Sequence, residues 1–183
     1  MKTIRAPLSA EEVRKLQVGD EVLVQGVVYA ARDAAHRKMI ENLDKGEPLP
    51  FEIPGQIIYY VGPCPAPPGQ VIGSAGPTTS GRMDSYAPAL IEQGLKVMIG
   101  KGKRDQGVVE AMVRHGAVYL AAVGGAGAYL SKRIISAEVV AYPELGPEAL
   151  RKLEFKDFPC IVAIDAQGNN IFENVNDKPQ KAI

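Results

Sequence analysis

The 183-residue sequence predicts an α/β or mixed layered domain, and three observations carry that prediction. The front half is rich in β-branched and apolar runs. From about residue 84 onward, short apolar runs alternate with stretches of helical spacing. Four of the turns between these runs are glycine-rich or polar, as strand-to-helix connections are.

The elements follow from the residues in order. In "LSAEEVRKLQVGD", Ser9 and Glu12 make an S-x-x-E capping box. There a hydroxyl and a carboxylate satisfy the orphan amides of a helix start. Val13 and Leu16 give that short helix its apolar stripe, and Gly19–Asp20 ends it. "EVLVQGVVYAA" (21–31) reads as a strand or a pair of strands. Residues 32–46 have helical spacing through Ala35, Met39, Ile40 and Leu43, with Gly46 as the stop. "QIIYYVG" (56–62) is a strand. "PCPAPPG" cannot join a central ladder, because its prolines have no amide to donate. "QVIGSAG" (70–76) reads as another short strand.

Beyond it, 84–94 is a helix with Pro88 in or near its first turn, "LKVMIGKGKR" a strand and turn, and 105–116 a helix. "AVYLAAVGGAGAYL" is a strand running into a glycine-rich turn, and "EVVAYPELG" is extended. "GPEALRKLEF" places proline at a first helical position and reads as a short helix. Residues 160–173 resemble a hairpin turning at 167–170. Residues 1–173 are expected to form one domain, and the polar stretch 174–183 a flexible tail. The order of strands is not readable at this level.

Composition excludes several function classes. Twenty-one basic residues balance twenty-one acidic ones, so no broad positive field exists to drive nucleic-acid binding. Cys64 and Cys160 are too far apart for a zinc knuckle or a disulfide framework and read as free thiols in a reducing cytoplasm. The N-terminus lacks the apolar core of a signal peptide, and no run approaches the ~18 apolar residues of a membrane span. A cytoplasmic location is the expectation.

The candidate chemistry lies in the four turns, Ala31–Asp33, Gly76–Arg82, Gly100–Arg104 and Gly124–Gly127. Ligands of open α/β sheets collect at the carboxyl ends of strands, where helix starts offer free amides. Arg32, Arg82, Lys101 and the further candidate Lys103 add cationic groups there. The expected ligand is an anion with more than one charged end, and arginine's planar fork suits carboxylate. Bland readings stand beside this. "GPTTSG" can be a capped turn with Thr79 or Ser80 as N-cap. "GKGKR" lacks phosphate-loop spacing and reads as a solvated basic turn; "GGAGAYL" reads as a tight turn for helix packing. Asp33 and His36, three apart on a helix, could pair as acid and base, but a helix-start aspartate and a surface histidine are the simpler reading.

"ARDAAHRKM", "GPTTSGRMDSY", "IGKGKR", "VGGAGAYLSKRI" and "YPELGPEALRKLEFKDFP" occur in this order. Together they resemble the β subunit, or C-terminal domain, of the iron–sulfur class I fumarases, a family that includes L(+)-tartrate dehydratase. The resemblance covers residues 3–173. It implies a swivelling β/β/α layered domain with a mixed sheet and reversible hydration of fumarate to L-malate. It also implies a [4Fe–4S] cluster held by cysteines of a separate α subunit and none bound by this chain, which would be inactive alone. An α2β2 assembly is the oligomer it suggests. By the same resemblance, Thr78 is the proposed base at C3 and Arg82 is catalytic and binds a substrate carboxylate. Arg32 and Lys101 complete the substrate contacts, with Lys103 the other candidate in that turn. A tartrate dehydratase β subunit and a non-catalytic anion-binding or scaffold subunit remain alternatives.

Overall fold

A computed structural model describes residues 1–173. The tail expected to fray at 174–183 lies outside the described residues. The strands are β1 (Lys2–Arg5), β2 (Glu21–Ala30), β3 (Ile57–Tyr59), β4 (Val97–Gly100), β5 (Val118–Ala121), β6 (Ile134–Ala141) and β7 (Leu150–Ile164). The helices are α1 (Ala10–Arg14), α2 (Asp33–Asp44), α3 (Ala87–Glu92), α4 (Gln106–His115) and α5 (Gly127–Ser131). Ser80–Met83 and Pro143–Glu148 form 3-10 turns. None of the described helices is long and apolar enough to cross a membrane.

The sheet is mixed, and it closes on itself. β2, β3, β4 and β5 pair side by side in parallel. β7 then pairs antiparallel with β5 at one end and with β2 along most of its length. The result is a five-stranded ring, with β1 added to the free part of β2 and β6 to the free part of β7. Alternation along the strands sorts the side chains into two cores. Val24, Val28, Ile57, Tyr59, Val97, Ile99, Val118, Leu120, Phe155 and Val162 fill the ring. Ile58, Met98, Tyr119 and Ile164 face outward and pack against Met39 of α2, Leu90 and Ile91 of α3 and Val108 and Met112 of α4. Burying one such aliphatic side chain is worth about 1.5–3 kcal/mol.

The ring strains β2 and β7 at one point. Their register shifts between Val24 and Gly26, where Gly26 has a φ of 79° and Asp157 opposite a φ of 50°. Gln25 Nε2 donates to Asp157 Oδ1 at 2.6 Å across this bulge. The bulge bends the pair enough to close a small barrel.

Local signals hold at several ends. Ser9 and Glu12 form the capping box in full. Asp105 caps α4 by accepting from the Val108 amide, and Gly116 ends it in the left-handed conformation. Pro88 lies in the first turn of α3.

Three readings are corrected, and one strand was not anticipated. Residues 70–76 are not a strand: the prolines of 63–68 leave no ladder, and only single bonds link Cys64 with Gly73 and Ser74. Residues 146–155 are not an α-helix: the 3-10 turn Pro143–Glu148 ends there and β7 starts at Leu150. Leu150 and Leu153 match helical spacing, but the segment opens β7 and is sandwiched between β2 and β6. The 160–173 hairpin lacks a second strand, for only Asn170 bridges back to Ile164. β1 was not legible, because four mostly exposed residues carry little pattern.

Candidate functional site

Because β1 to β5 run parallel, the turns that follow β2, β3, β4 and β5 open on the same end of the ring. That end is where α/β sheets bind ligands. Backbone hydrogen bonds join the turns in sequence. The Ala31 amide donates to Tyr59 O at 3.1 Å and the Tyr60 amide to Ile99 O at 2.9 Å. The Thr78 amide returns to Tyr60 O at 2.7 Å. Thr79 then bridges Lys101 in parallel, with the Ser80 amide on Lys101 O at 2.9 Å and the Lys101 amide on Thr78 O at 3.4 Å. Thr78 and Lys101, both half-buried, are thus fixed side by side through their backbones. The Lys101 stem runs along the next turn, its Cδ 3.5 Å from where a Cβ on Gly124 would stand.

A buried polar clamp locks these two turns together. The Arg104 side chain is fully buried. Its Nε donates to Asp84 Oδ1 at 2.7 Å and its Nη2 to the Tyr60 hydroxyl at 3.2 Å. The guanidinium lies between the rings of Tyr60 and Tyr119, 5.2 and 5.0 Å from their centroids. Burial works against its charge, but Tyr60 and Asp84 outweigh that and raise its pKa. Asp84 Oδ2 also accepts the Asp105 amide at 2.8 Å. Ser80 Oγ meets the Tyr119 hydroxyl at 2.9 Å, and that hydroxyl donates to Gly102 O. Any Cβ on Gly100 would overlap Ser80 Oγ. Two bland readings therefore fail. "GKGKR" is not wholly a solvated turn, since its arginine is a buried clamp. "GPTTSG" is not a side-chain-capped turn: Thr79 sits at the N-cap position without a capping hydrogen bond, and Ser80 is spent on Tyr119. "GGAGAYL" does serve packing, because Gly127 lies against Gly76 and Ser74 too closely for any Cβ.

Arg32 and Arg82 meet at one carboxylate. Asp33 Oδ2 accepts from Arg82 Nε at 2.9 Å, and Arg82 Nη2 lies 2.9 Å from the same oxygen. Arg32 Nε lies 3.9 Å from Asp33 Oδ1 and 3.8 Å from Glu148 Oε1. The Arg32 side chain is folded onto Gly62, whose missing Cβ would stand 2.7 Å from Nη1. His36 is a correction to the surface histidine, for it is fully buried. Its Nδ1 donates to Arg32 O at 2.7 Å, and its ring packs edge-on to Tyr60. Burial lowers its pKa to about 4. It is a neutral post under the turn that carries Arg32, not an acid–base partner of Asp33. Glu148, Asp84 and Tyr119 were missed as site components, and the structural parts of Asp33 and Arg104, which lay in candidate turns, were not foreseen. They come from five separate segments, and no spacing in the chain links them.

The cysteines do not fit an iron–sulfur cluster. Cys64 is exposed in the proline-rich turn, and Cys160 is buried in the ring on β7, where burial raises its thiol pKa far above the usual range. No group of three or more His, Cys, Asp or Glu suited to a metal occurs among the described residues.

The family model for the fumarase C-terminus matches residues 2–175. The chain belongs to the fumarase C-terminal family. It is 44% identical over 177 residues to the aerobic class I fumarate hydratase of Escherichia coli strain K12, a match covering 96% of this chain and 31% of that protein. It is 41% identical over 177 residues to a putative L(+)-tartrate dehydratase subunit beta of Methanocaldococcus jannaschii, covering 93% of this chain and 91% of that protein. Fumarate hydratase 2 of Leishmania major is 41% identical over 164 residues. The chain spans 31% of the length of the Escherichia coli fumarate hydratase.

Proposed function

We propose that this chain acts as the β subunit of a class I type hydro-lyase that reversibly hydrates fumarate to L-malate. The observation that carries the reading is the joining of four turns at one end of the ring. Three of them carry the cationic residues: Thr78 is tied to Lys101 through the backbone, and Arg82 and Arg32 both approach Asp33. A dicarboxylate needs a cation at each end, and these turns offer two arginines and a lysine. In this reading Arg82 holds the carboxylate next to the carbon that loses a proton, and its charge stabilises the negative charge that builds there. Thr78 accepts the C3 proton. A threonine hydroxyl is a weak base, so it depends on the neighbouring cations to favour its deprotonated form. Arg32 and Lys101 hold the remaining substrate oxygens.

The [4Fe–4S] cluster belongs, in the same reading, to a separate α subunit in an α2β2 complex, and this chain has no hydratase activity alone. The domain swings over the α subunit as a swivelling unit to close the site. The match to most of a protein named as a subunit beta supports the subunit assignment.

Mixing this chain with a cluster-loaded α subunit tests the proposal. Thr78→Ala is expected to lower kcat more than it changes KM, and Arg82→Ala to damage both. Wild-type turnover in the Thr78→Ala complex would remove its role as base. The tartrate dehydratase relative favours a second reading, in which the substrate carries hydroxyls on both central carbons. A panel of fumarate, malate, tartrate and mesaconate separates the two.

A further inference from the structure

Asp33 opens α2, and its two oxygens meet two different arginines. Oδ2 accepts from Nε of Arg82 at 2.9 Å, and Nη2 of the same guanidinium lies 2.9 Å from that oxygen. Those nitrogens form the side-on edge of the guanidinium. The end-on edge, Nη1 with the outer face of Nη2, still has donors to offer. The Arg82 side chain is 51% exposed, which leaves solvent access for a ligand at that second edge. Asp33 Oδ1 is buried without a hydrogen bond, and so is Arg32 Nε, 3.9 Å away. Glu148 flanks the same Arg32 nitrogen at 3.8 Å and accepts from the Ala34 amide at the start of α2 at 3.3 Å. One carboxylate fixed to a helix start thus spans both arginines.

We propose that Asp33 is a positioning residue for substrate recognition. It seats the side-on edge of Arg82 so that the end-on edge meets a ligand carboxylate, and it sets the spacing between Arg82 and Arg32. This rests on the dicarboxylate reading above. The physical gain is preorganisation. A free arginine at the surface loses rotamer freedom when it binds, and Asp33 removes that freedom before the ligand arrives. Arg82 lies on a 3-10 turn of four residues, which cannot orient a long side chain by packing alone. Asp33 does not compete for the ligand, because a carboxylate approaching end-on does not need the edge that Asp33 holds.

The test uses the complex with the α subunit and reads KM and kcat for L-malate. Asp33→Ala is expected to raise KM about tenfold with a smaller fall in kcat. Asp33→Asn keeps an acceptor oxygen and is expected to recover most of the loss, and it serves as the probe if the alanine variant folds poorly. In an Arg82→Ala background, Asp33→Ala is expected to add no further loss, since it acts through that arginine. In the isolated 15N-labelled chain, the Arg82 Nε–H proton should exchange with water faster in Asp33→Ala than in the wild type. A KM that is unchanged or lowered in Asp33→Ala, or losses that add in full in the double variant, would overturn the assignment. If Arg82→Ala raises KM and Asp33→Ala does not, only the assignment to Asp33 falls. If Arg82→Ala leaves KM unchanged, the dicarboxylate reading falls and takes this assignment with it.

Discussion

Lowering the pH from 7 toward 4 should destabilise the folded chain through His36 by an amount the structure sets. His36 on α2 is fully buried against Tyr60, with Nδ1 on the Arg32 carbonyl and Nε2 buried without a partner. Burial is the main cause that moves its pKa from 6.5 down to about 4; the nearby Arg104 charge adds to the fall, and the Arg32 carbonyl and Asp33 oppose it. Between those two values the unfolded chain holds a proton that the folded chain does not, so stability rises with pH across that window. Above about pH 6.5 the effect is absent, and below about 4 it is complete. Each pH unit in the window is worth about 1.4 kcal/mol, which gives about 2 kcal/mol lost by pH 5 and about 3 kcal/mol by pH 4. Urea unfolding at half-unit steps from pH 7 to 5 measures this where most carboxylates stay ionised. His36→Asn can keep a donor toward the Arg32 carbonyl and removes the titration. The wild type should lose about 2 kcal/mol relative to this variant over that range. Parallel stability profiles for the two proteins would refute a neutral, buried His36. Since His36 supports the turn that carries Arg32, the same acidification should loosen the site before the ring unfolds.

Other perturbations probe the clamp and the cations. Arg104→Ala leaves Asp84, whose carboxylate is almost buried, without its ionic partner. It should cost about 3–5 kcal/mol in denaturant unfolding, and adding Asp84→Asn should recover part of that. Gly100→Ala forces a methyl group onto Ser80 Oγ and should lower stability by about 1–3 kcal/mol, with partial recovery when Ser80→Ala is added. Lys101→Ala should raise KM for malate in the complex by about tenfold and Lys103→Ala by less than about twofold, because the backbone of Lys101 is paired with the Thr78–Ser80 turn, which holds the residue beside Thr78, while Lys103 is exposed.

The sequence carried the local features and missed those made at a distance. The capping box at Ser9 and the helices α2 and α4 depend on neighbours a few residues away, and all were legible. The C-terminal strand was not. Leu150 and Leu153 have the spacing of a helix, and only pairing with β2, more than a hundred residues earlier, makes that segment a strand. Ring closure depends on the same distant pairing. The four turns were readable as candidate ligand sites because each is marked by glycine, hydroxyl or basic residues. What holds them was hidden. Arg104 reads as one more exposed cation until Asp84, Tyr60 and Tyr119 are brought around it. Asp33 reads as a helix-start charge until Arg82 arrives from a segment 49 residues away.

The most direct test of the account is reconstitution. This chain and a cluster-loaded class I α subunit are each assayed alone and then together for fumarate hydration, with fumarate loss and malate formation both followed. The account predicts no turnover from this chain alone, malate-forming turnover from the mixture, and loss of that turnover when Thr78 and Arg82 are both replaced by alanine. Assembly of a stable complex whose turnover is indifferent to Thr78 and Arg82 would contradict it.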